Sequence, residues 1–237
     1  MRVLILGDLH GDFENVLNPL IEKEQPDLVL QVGDFGFWGP GLCDRIRAGQ
    51  AVVRWCDGNH ERHPLLTDLR NKTTGYPQAH QVCRNVFWQD RGSTITLEDG
   101  RVVLFAGGAW SADFHEREEG LDWFPEEVLT KDDLAGFPDP SKVNVDIVIS
   151  HTCPTSFEWE LPESDGSGSH SNPEWVKAKR SDPSCTVLQT VLERYRPNRW
   201  FFGHFHRFVE GTTGKCRWTG VACPSSQDGL GTNWVWL

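Results

Sequence analysis

Three apolar runs in the first 60 residues each end in a polar side chain that can bind a metal ion. The runs RVLILGD, PDLVLQVGD and AVVRWCDGN end at or just before Asp8, Asp34 and Asn59. Continuous apolar runs are typical of parallel strands buried on both faces, whereas half-exposed strands alternate. The segment 13–24 has helical periodicity and is stopped by Gln-Pro. This order predicts an α/β chain that brings the three polar residues to the carboxyl edge of one sheet.

The second half of the chain shows a different pattern. From Val86 onward, alternating or apolar runs flank Glu-Asp-Gly at 98–100, which is a strong hairpin signal. We therefore expect a second, more antiparallel sheet to begin at Val86. Later strands end at His151 and His204, with a helix expected at 186–195 between them. Together the patterns predict a two-sheet α/β sandwich with helices outside.

Length and composition favour one globular domain over residues 1–237. Hydrophobic residues make up 38% of the chain and charged residues 24%, which excludes both a disordered chain and a membrane protein. The segment 152–183 is rich in Ser, Gly, Pro and Glu and is predicted to be a long surface loop. Loops of this length in compact domains are usually functional or disordered, and we expect this one at the active site.

The net charge limits the classes of possible binding partner, and the cysteine count bears on the cellular compartment. The formal net charge of -11 argues against binding long nucleic acids, which needs a basic surface, and leaves a small anionic substrate open. The number of cysteines is odd, seven, and no CxxC pair occurs, which favours a reducing compartment. The apolar run at the N-terminus is too short for a signal peptide or a membrane span. These features predict a cytoplasmic protein without membrane contact, and they leave the oligomeric state open.

Five short motifs coincide with the predicted strand ends. In chain order they are GDLHG at 7–11, GDFG at 33–36, GNHE at 58–61, SHTCP at 150–154 and GHFH at 203–206. Together they supply carboxylate, carboxamide and imidazole groups, a mixed oxygen and nitrogen set that suits Mn, Fe, Zn or Co better than Ca or Mg. Each motif is weak evidence alone, whereas the ordered set strongly predicts a metal site.

The residue types fit a centre with two cations. Asp8 and His10 are separated by one residue just past a strand end, so both can point toward one ion. The two oxygens of Asp34 make it the natural bridge between two ions. Asn59 offers a neutral oxygen that limits the negative charge, so that an anionic phosphoryl oxygen can still enter.

The five motifs resemble those of the calcineurin-like metallophosphoesterase superfamily, in particular its small bacterial and phage members. The resemblance runs from residue 7 to residue 206 and implies an α/β/β/α fold with two divalent ions, most simply Mn, with Fe, Zn, Ni or Co as alternatives. It implies one ion bound by Asp8, His10, Asp34 and His206. It implies a second ion bound by Asp34, Asn59, His151 and His204.

The resemblance also implies the roles of two further residues. His60 is expected to be catalytic rather than a ligand, as general acid or charge stabiliser, while a water bridging the two ions attacks the phosphorus. The segment GGAWSAD at 107–113 is similar to one in some small members of the superfamily, and Arg117 follows it. Arg117 either grips a phosphate oxygen through its planar fork or belongs to a purely structural turn.

Three functions follow in order of preference. A phosphodiesterase acting on small, nucleotidic diesters comes first, because GHFH resembles the phosphodiesterase and nuclease branches. Asp57 also stands where protein phosphatases carry Arg, and the second motif lacks their DRG continuation. The alternative is a phosphomonoesterase, including a protein Ser/Thr phosphatase. A non-catalytic scaffold is least favoured, because such proteins usually lose ligands and none is missing here.

Overall fold

The computed structural model describes residues 1–72, 75, 77–159, 182–225 and 231–237. Within these residues the strands form two six-stranded sheets. The first sheet contains β1 (Val3–Leu6), β2 (Leu28–Gln31), β3 (Val52–Trp55), β4 (Ala79–Cys83), β5 (Val86–Gln89) and β12 (Trp234–Trp236). The second contains β6 (Thr94–Thr96), β7 (Val102–Ala106), β8 (Ile147–Ser150), β9 (Arg199–Phe202), β10 (Val209–Thr213) and β11 (Cys216–Gly220).

Helices connect and cover the strands. They are α1 (Asn18–Glu24), which continues a π-helical turn at Phe13–Leu17, α2 (Leu42–Arg45), α3 (His63–Asn71) and α4 (Pro183–Tyr195). Short 3-10 turns lie at Phe114–Glu116, Pro125–Glu127 and Asp132–Gly136. Asp182 caps the start of α4 by accepting a hydrogen bond from the Ser184 amide, and Pro183 occupies the first helical position, where its missing N–H has no cost.

Both sheets have parallel centres and antiparallel edges. The first sheet runs in the order β12-β1-β2-β3-β5-β4, with β1, β2, β3 and β5 parallel. The second runs β10-β11-β9-β8-β7-β6, with β11, β9, β8 and β7 parallel. The parallel strands bury both faces, which explains why their sequences read as continuous apolar runs.

Three apolar clusters show how the layers pack. One lies between the sheets and includes Ile5 and Leu30 from the first sheet and Phe105 and Ile149 from the second. A second cluster packs α1 and α3 onto the outer face of the first sheet, and a third packs α4 onto the outer face of the second. The predicted two-sheet α/β sandwich with outer helices is thus confirmed.

Two details of the predicted topology are wrong. The strand that begins at Val86 is β5, and it pairs in parallel with β3 in the first sheet. The second sheet begins only at β6, whose hairpin with β7 surrounds the predicted turn at 98–100. The second sheet is also not more antiparallel than the first, because its central strands are all parallel.

The predicted loop at 152–183 is only partly described. Residues 152–159 lead away from β8, and the rings of Phe157 and Trp159 pack against Trp218 of β11. Residues 160–181 lie outside the described residues, so the expected role of this loop stays a prediction, as does the single-domain assignment of 1–237. Across the ranges that the structure describes, no helix has the length and apolar character needed to cross a membrane.

A disulfide joins Cys43 of α2 to Cys83 of β4, with the Cα atoms 5.4 Å apart. The sequence reasoning did not anticipate this pair, which ties the segment after the second motif to the edge of the first sheet. Disulfides persist mainly in oxidising compartments, so this bond is an observation against the expected reducing one.

We expect the Cys43→Ser, Cys83→Ser double variant to unfold more readily than the wild type by about 2–4 kcal/mol, because the bond restricts the unfolded chain over a sequence separation of 40. Denaturant titration without reductant measures the difference. Adding dithiothreitol should lower the stability of the wild type and leave the variant unchanged. A wild type that does not respond to reductant would show that the bond contributes no stability.

Candidate metal centre

The carboxyl ends of the two sheets bring all seven predicted ligands to one place. Asp8, Asp34 and Asn59 follow β1, β2 and β3, and His151 and His204 follow β8 and β9. His10 and His206 each lie two residues further along the chain. The side chains of the two sheets therefore meet across the top of the sandwich, where parallel strands usually place ligands.

The first cluster contains Asp8, His10, Asp34 and His206, whose ligand atoms all lie within 4.8 Å of one another. The Nε2 atom of His206 lies 3.2 Å from Oδ2 of Asp8. The Nε2 atom of His10 lies 3.1 Å from Nε2 of His206 and 3.7 Å from Oδ2 of Asp34. Two carboxylates and two imidazoles therefore converge on one point.

The second cluster contains Asp34, Asn59, His151 and His204. The Oδ1 atom of Asn59 lies 3.0 Å from Nε2 of His151 and 3.1 Å from Nδ1 of His204. The Nε2 atom of His151 lies 3.3 Å from Oδ2 of Asp34. The other ring nitrogen of His151 lies 3.0 Å from the carbonyl of Val32, the arrangement that usually orients a metal-binding imidazole.

Asp34 belongs to both clusters. Its Oδ2 atom lies 3.7 Å from Nε2 of His10 in the first cluster and 3.3 Å from Nε2 of His151 in the second. Its Oδ1 atom accepts a hydrogen bond of 2.9 Å from the backbone amide of His60. This is the position expected of a carboxylate that bridges two ions.

The backbone at the site is held in a rarely populated conformation. Four non-glycine residues of the centre have positive φ: His10 at 48°, Asp34 at 53°, His204 at 67° and His206 at 52°. Each such residue costs energy that the surrounding structure must supply, and such residues concentrate at functional sites. The fold therefore maintains strain at the very residues whose side chains form the two clusters.

Two glycines make room for the carboxylates. A Cβ atom at Gly58 would overlap the carboxylate of Asp34, and a Cβ atom at Gly203 would overlap that of Asp8. The glycines of GNHE and GHFH are therefore required by close packing against a carboxylate from another strand.

The charges of the site suit cations. Burial acts to raise the pKa of Asp34, but His151, His60 and His10 hold that pKa well below its usual range. Burial acts to lower the pKa of His151, but the Asp34 carboxylate outweighs it and raises the pKa to about 10. Burial and its neighbour His151 lower the pKa of His204 to about 3. The protonated imidazole of His151 thus neutralises the buried carboxylate of Asp34, a task that a divalent ion held by the same residues would take over. The residues present fit a dinuclear centre.

His60 and Arg117 lie together beside the centre. The His60 ring stands edge-on to the ring of His10, with the centroids 5.0 Å apart. The Nη2 atom of Arg117 lies 3.0 Å from Nε2 of His60 and 2.8 Å from a carboxylate oxygen of Asp113. Burial lowers the pKa of His60, Asp34 acts against this, and Arg117 lowers the pKa further. Because Arg117 can only donate, His60 accepts at Nε2 and is neutral in this arrangement.

The side-chain amide of Asn59 is held in place by residues outside the five motifs. Its Nδ2 atom donates a hydrogen bond of 3.0 Å to the hydroxyl of Ser111, so Oδ1 is the atom that faces the two imidazoles. The carboxylate of Glu127 accepts hydrogen bonds from the Ser111 amide and from the indole of Trp123. Ser111 lies in the GGAWSAD segment at 107–113, whose resemblance to related proteins was a signal that did not indicate this role, whereas Trp123 and Glu127 lie further along the chain.

The sequence did not predict the contact between Asp57 and Arg91 or the position of Cys223 beside the site. Asp57 is buried and its Oδ2 atom accepts hydrogen bonds of 2.9 and 2.7 Å from Nε and Nη2 of Arg91, which also binds the backbone of the 126–128 segment. The thiol of Cys223 lies within 4.8 Å of the ligand atoms of His10 and His206. Cys223 lies far from every motif in sequence, so no local signal marked it.

Comparisons with known proteins agree with this geometry. The family model of the calcineurin-like phosphoesterases matches residues 1–208. No curated protein matches the chain.

Solved structures show the same fold at low sequence identity. The phosphopantetheinyl hydrolase of Mycobacterium tuberculosis is 14% identical with a TM-score of 0.57, and the alignment covers 100% of this chain and 95% of that chain. The protein TT1561 of Thermus thermophilus is 13% identical with a TM-score of 0.52, over 94% of this chain and 90% of that chain. A putative 5'-nucleotidase of Staphylococcus aureus is 16% identical with a TM-score of 0.50, over 94% of this chain and 48% of that chain.

The overlap of the two clusters at Asp34 leads to a prediction about metal content. We expect Asp34→Ala to lose both ions and His206→Ala to lose about one of the two, because His206 belongs only to the first cluster. Elemental analysis of protein reloaded with Mn and desalted measures the stoichiometry. His115→Ala, which removes an exposed histidine outside the clusters, serves as the control and should retain both ions. Full metal content in Asp34→Ala would show that Asp34 is not a bridging ligand.

Proposed function

The chain belongs to the calcineurin-like phosphoesterase family, and on this premise we propose that it is a phosphodiesterase that hydrolyses small nucleotidic diesters with two bound divalent ions. The observation that carries the proposal is the pair of ligand clusters that share Asp34. We propose Asp8, His10, Asp34 and His206 as ligands of one ion, and Asp34, Asn59, His151 and His204 as ligands of the other. Mn is our first choice of metal, with Fe, Zn, Ni or Co as alternatives.

Two divalent ions in such a site activate a water molecule and stabilise the charge that develops on the phosphoryl oxygens. The protein's own contribution is to position the ligands before substrate arrives. The strained backbone, the close-packed glycines and the hydrogen bond from Asn59 to Ser111 all fix ligand atoms in place. Preorganisation of this kind reduces the rearrangement needed during the reaction.

We assign catalysis to His60 and substrate binding to Arg117. The Arg117 guanidinium is mostly buried, with 11% of its side chain exposed, and its planar fork suits a phosphate oxygen. A phosphate that accepts the Arg117 hydrogen bond would free Nε2 of His60. The freed Nε2 atom of His60 could then take up a proton from solvent and donate it to the leaving oxygen, which would assist its departure.

Aromatic side chains near Arg117 support a nucleotidic substrate. Trp110 and Trp123 pack on either side of Phe114, with ring centroids 5.6 and 5.9 Å from it. Phe114 itself is 41% exposed, which is unusual for so large an apolar ring. An exposed aromatic surface beside a phosphate-binding residue can stack the base of a nucleotide. The net charge of -11 still opposes binding of long nucleic acids.

The preference for diesters rests on the second and fifth motifs. GDFGFWGP lacks the continuation typical of protein Ser/Thr phosphatases, and GHFH resembles the phosphodiesterase branches. Asp57 is engaged by Arg91 and does not offer a positive charge to a phosphomonoester dianion. The second candidate is a phosphomonoesterase, which the match to a putative 5'-nucleotidase favours on grounds of fold.

We also propose a cytoplasmic location, on the odd number of cysteines and the absence of a CxxC pair in the sequence. The Cys43–Cys83 disulfide opposes this part of the proposal. Alkylation of the protein in freshly lysed cells, followed by mass spectrometry, decides between the two. A cytoplasmic protein should carry alkylated Cys43 and Cys83, whereas protection of both would place it in an oxidising compartment.

The first experiment compares bis-p-nitrophenyl phosphate with p-nitrophenyl phosphate as substrates of metal-stripped protein reloaded with Mn, Zn, Fe, Ni, Mg or Ca. We expect Mn-dependent cleavage with the diester preferred. Preference for the monoester would establish the phosphatase alternative. Absence of hydrolysis with every metal would favour a non-catalytic scaffold.

Variants at His60 and Arg117 separate their roles. We expect His60→Ala to keep both ions and to lower kcat by about 10²- to 10⁴-fold for diesters with poor leaving groups, with a smaller loss for p-nitrophenyl esters. Arg117→Met should mainly raise KM, because it removes a contact to the substrate phosphate. Steady-state kinetics and metal analysis on the same preparations provide both readouts. Loss of metal from His60→Ala would instead identify His60 as a ligand.

A further inference from the structure

A cavity lined in part by polar residues lies between the two sheets at the side of the sandwich. Its volume is about 400 Å³, within the size range of small-molecule sites. It opens between β3, β4 and β5 of the first sheet and β6 of the second. The residues that matter for its chemistry are Arg54, Gln78, Gln89, Ser93 and Thr94. None of the described residues that line it belongs to the metal centre.

Arg54 is a half-buried cation in the layer between the sheets. Its neighbours on β3, Val53 and Trp55, belong to the cluster on the outer face, so the alternation of the strand directs Arg54 inward. The guanidinium stacks on the ring of Phe87, 4.9 Å from its centroid. Burial lowers the pKa of Arg54. The side chain lines the cavity, and no carboxylate among the described residues forms a salt bridge with it.

Two side-chain amides in the same cavity each have an Nε2 donor without a hydrogen-bond partner among the described residues. Gln89 is 1% exposed, and of its two amide atoms only Oε1 has a partner in the described part of the chain, the hydroxyl of Ser93. The Nε2 atom of Gln78 is also buried without a partner. A buried donor left unpaired is costly, and native structures seldom contain one without a reason. The unpartnered buried side-chain atoms of this cavity are thus all donors.

We propose that this cavity binds a small oxyanion, through a carboxylate or phosphate group held by Arg54, Gln78 and Gln89. A guanidinium and two amide donors match the oxygen acceptors of such a group, and charge-assisted bonds to Arg are among the strongest. The chain as a whole carries a net charge of -11, so this cluster of donors is a local feature rather than the result of a basic surface. The proposal is independent of the hydrolytic function, because the two sites share no described residue.

Isothermal titration of the metal-loaded full chain tests the proposal with inorganic phosphate in one arm and succinate in the other. We expect saturable binding of at least one of them, weakened about tenfold or more in Arg54→Met, because a charge-assisted bond is lost. The matched control is Arg199→Met, since Arg199 is another half-buried arginine that stacks on a phenylalanine, Phe201, at 4.9 Å. That control should bind like the wild type. Phosphate binding that survives in Arg54→Met belongs to the metal centre.

The two titrations identify the chemical class of the ligand. A second variant, Gln89→Leu, tests the proposal independently of any misfolding of Arg54→Met. Binding of succinate alone assigns a carboxylate ligand, and phosphate binding lost in Arg54→Met assigns a phosphate ligand. Gln89→Leu, which removes the unpaired donor, should lower the same affinity and should not lower the Tm of the free protein. Hydrolysis of bis-p-nitrophenyl phosphate should be unchanged in both variants. The proposal is overturned if neither anion binds the wild type, or if both variants bind as the wild type does.

Discussion

The burial of two carboxylates at the meeting point of two sheets is the constraint on which the rest of the structure depends. Asp8 and Asp34 are 0% and 1% exposed, and a buried charge without compensation is costly. In this chain the imidazoles of the opposite sheet supply the compensation, since His151 pairs with Asp34 and His206 with Asp8. Neither sheet alone forms the site, so the packing of the sandwich and the electrostatics of the centre depend on each other.

This dependence explains the location of the strained residues. The positive φ values of Asp34, His204 and His206 fall just past strand ends, where the chain must turn and still direct a side chain into the centre. Gly58 and Gly203 pack against carboxylates from other strands, so the turn residues of one motif shape the space for the ligand of another. Backbone conformations that are locally unfavourable are thus maintained because several structural elements require them together.

The sequence predicted which residues meet at the candidate metal centre because these residues follow strands with strong apolar patterns. The runs that end near Asp8, Asp34 and His151 are parallel strands buried on both faces, and these are the strands most easily recognised. Strand β4, with exposed Ala79 and Gln81, and the short strand β12 have no such pattern and were not predicted. The assignment of β5 to the wrong sheet has a similar cause, because strand partners are chosen by packing across the whole chain, which local pattern does not encode.

The residues that were not predicted from the sequence affect the site indirectly, through their contacts with the predicted residues. Ser111 and Glu127 determine which atom of Asn59 faces the imidazoles, and Arg91 joins Asp57 to the 126–128 segment that holds Glu127. The Arg91 contact therefore connects the first sheet to the loop that supports Asn59. A change at Arg91 would leave every ligand in the sequence and still disturb the second cluster, since a buried guanidinium that bonds a carboxylate and several carbonyls has no substitute among other side chains. Conversely, Arg54 lies in the same sandwich stacked on Phe87, and the Nε2 atoms of Gln78 and Gln89 have no hydrogen-bond partner among the described residues, which supports a cavity completed from outside the chain.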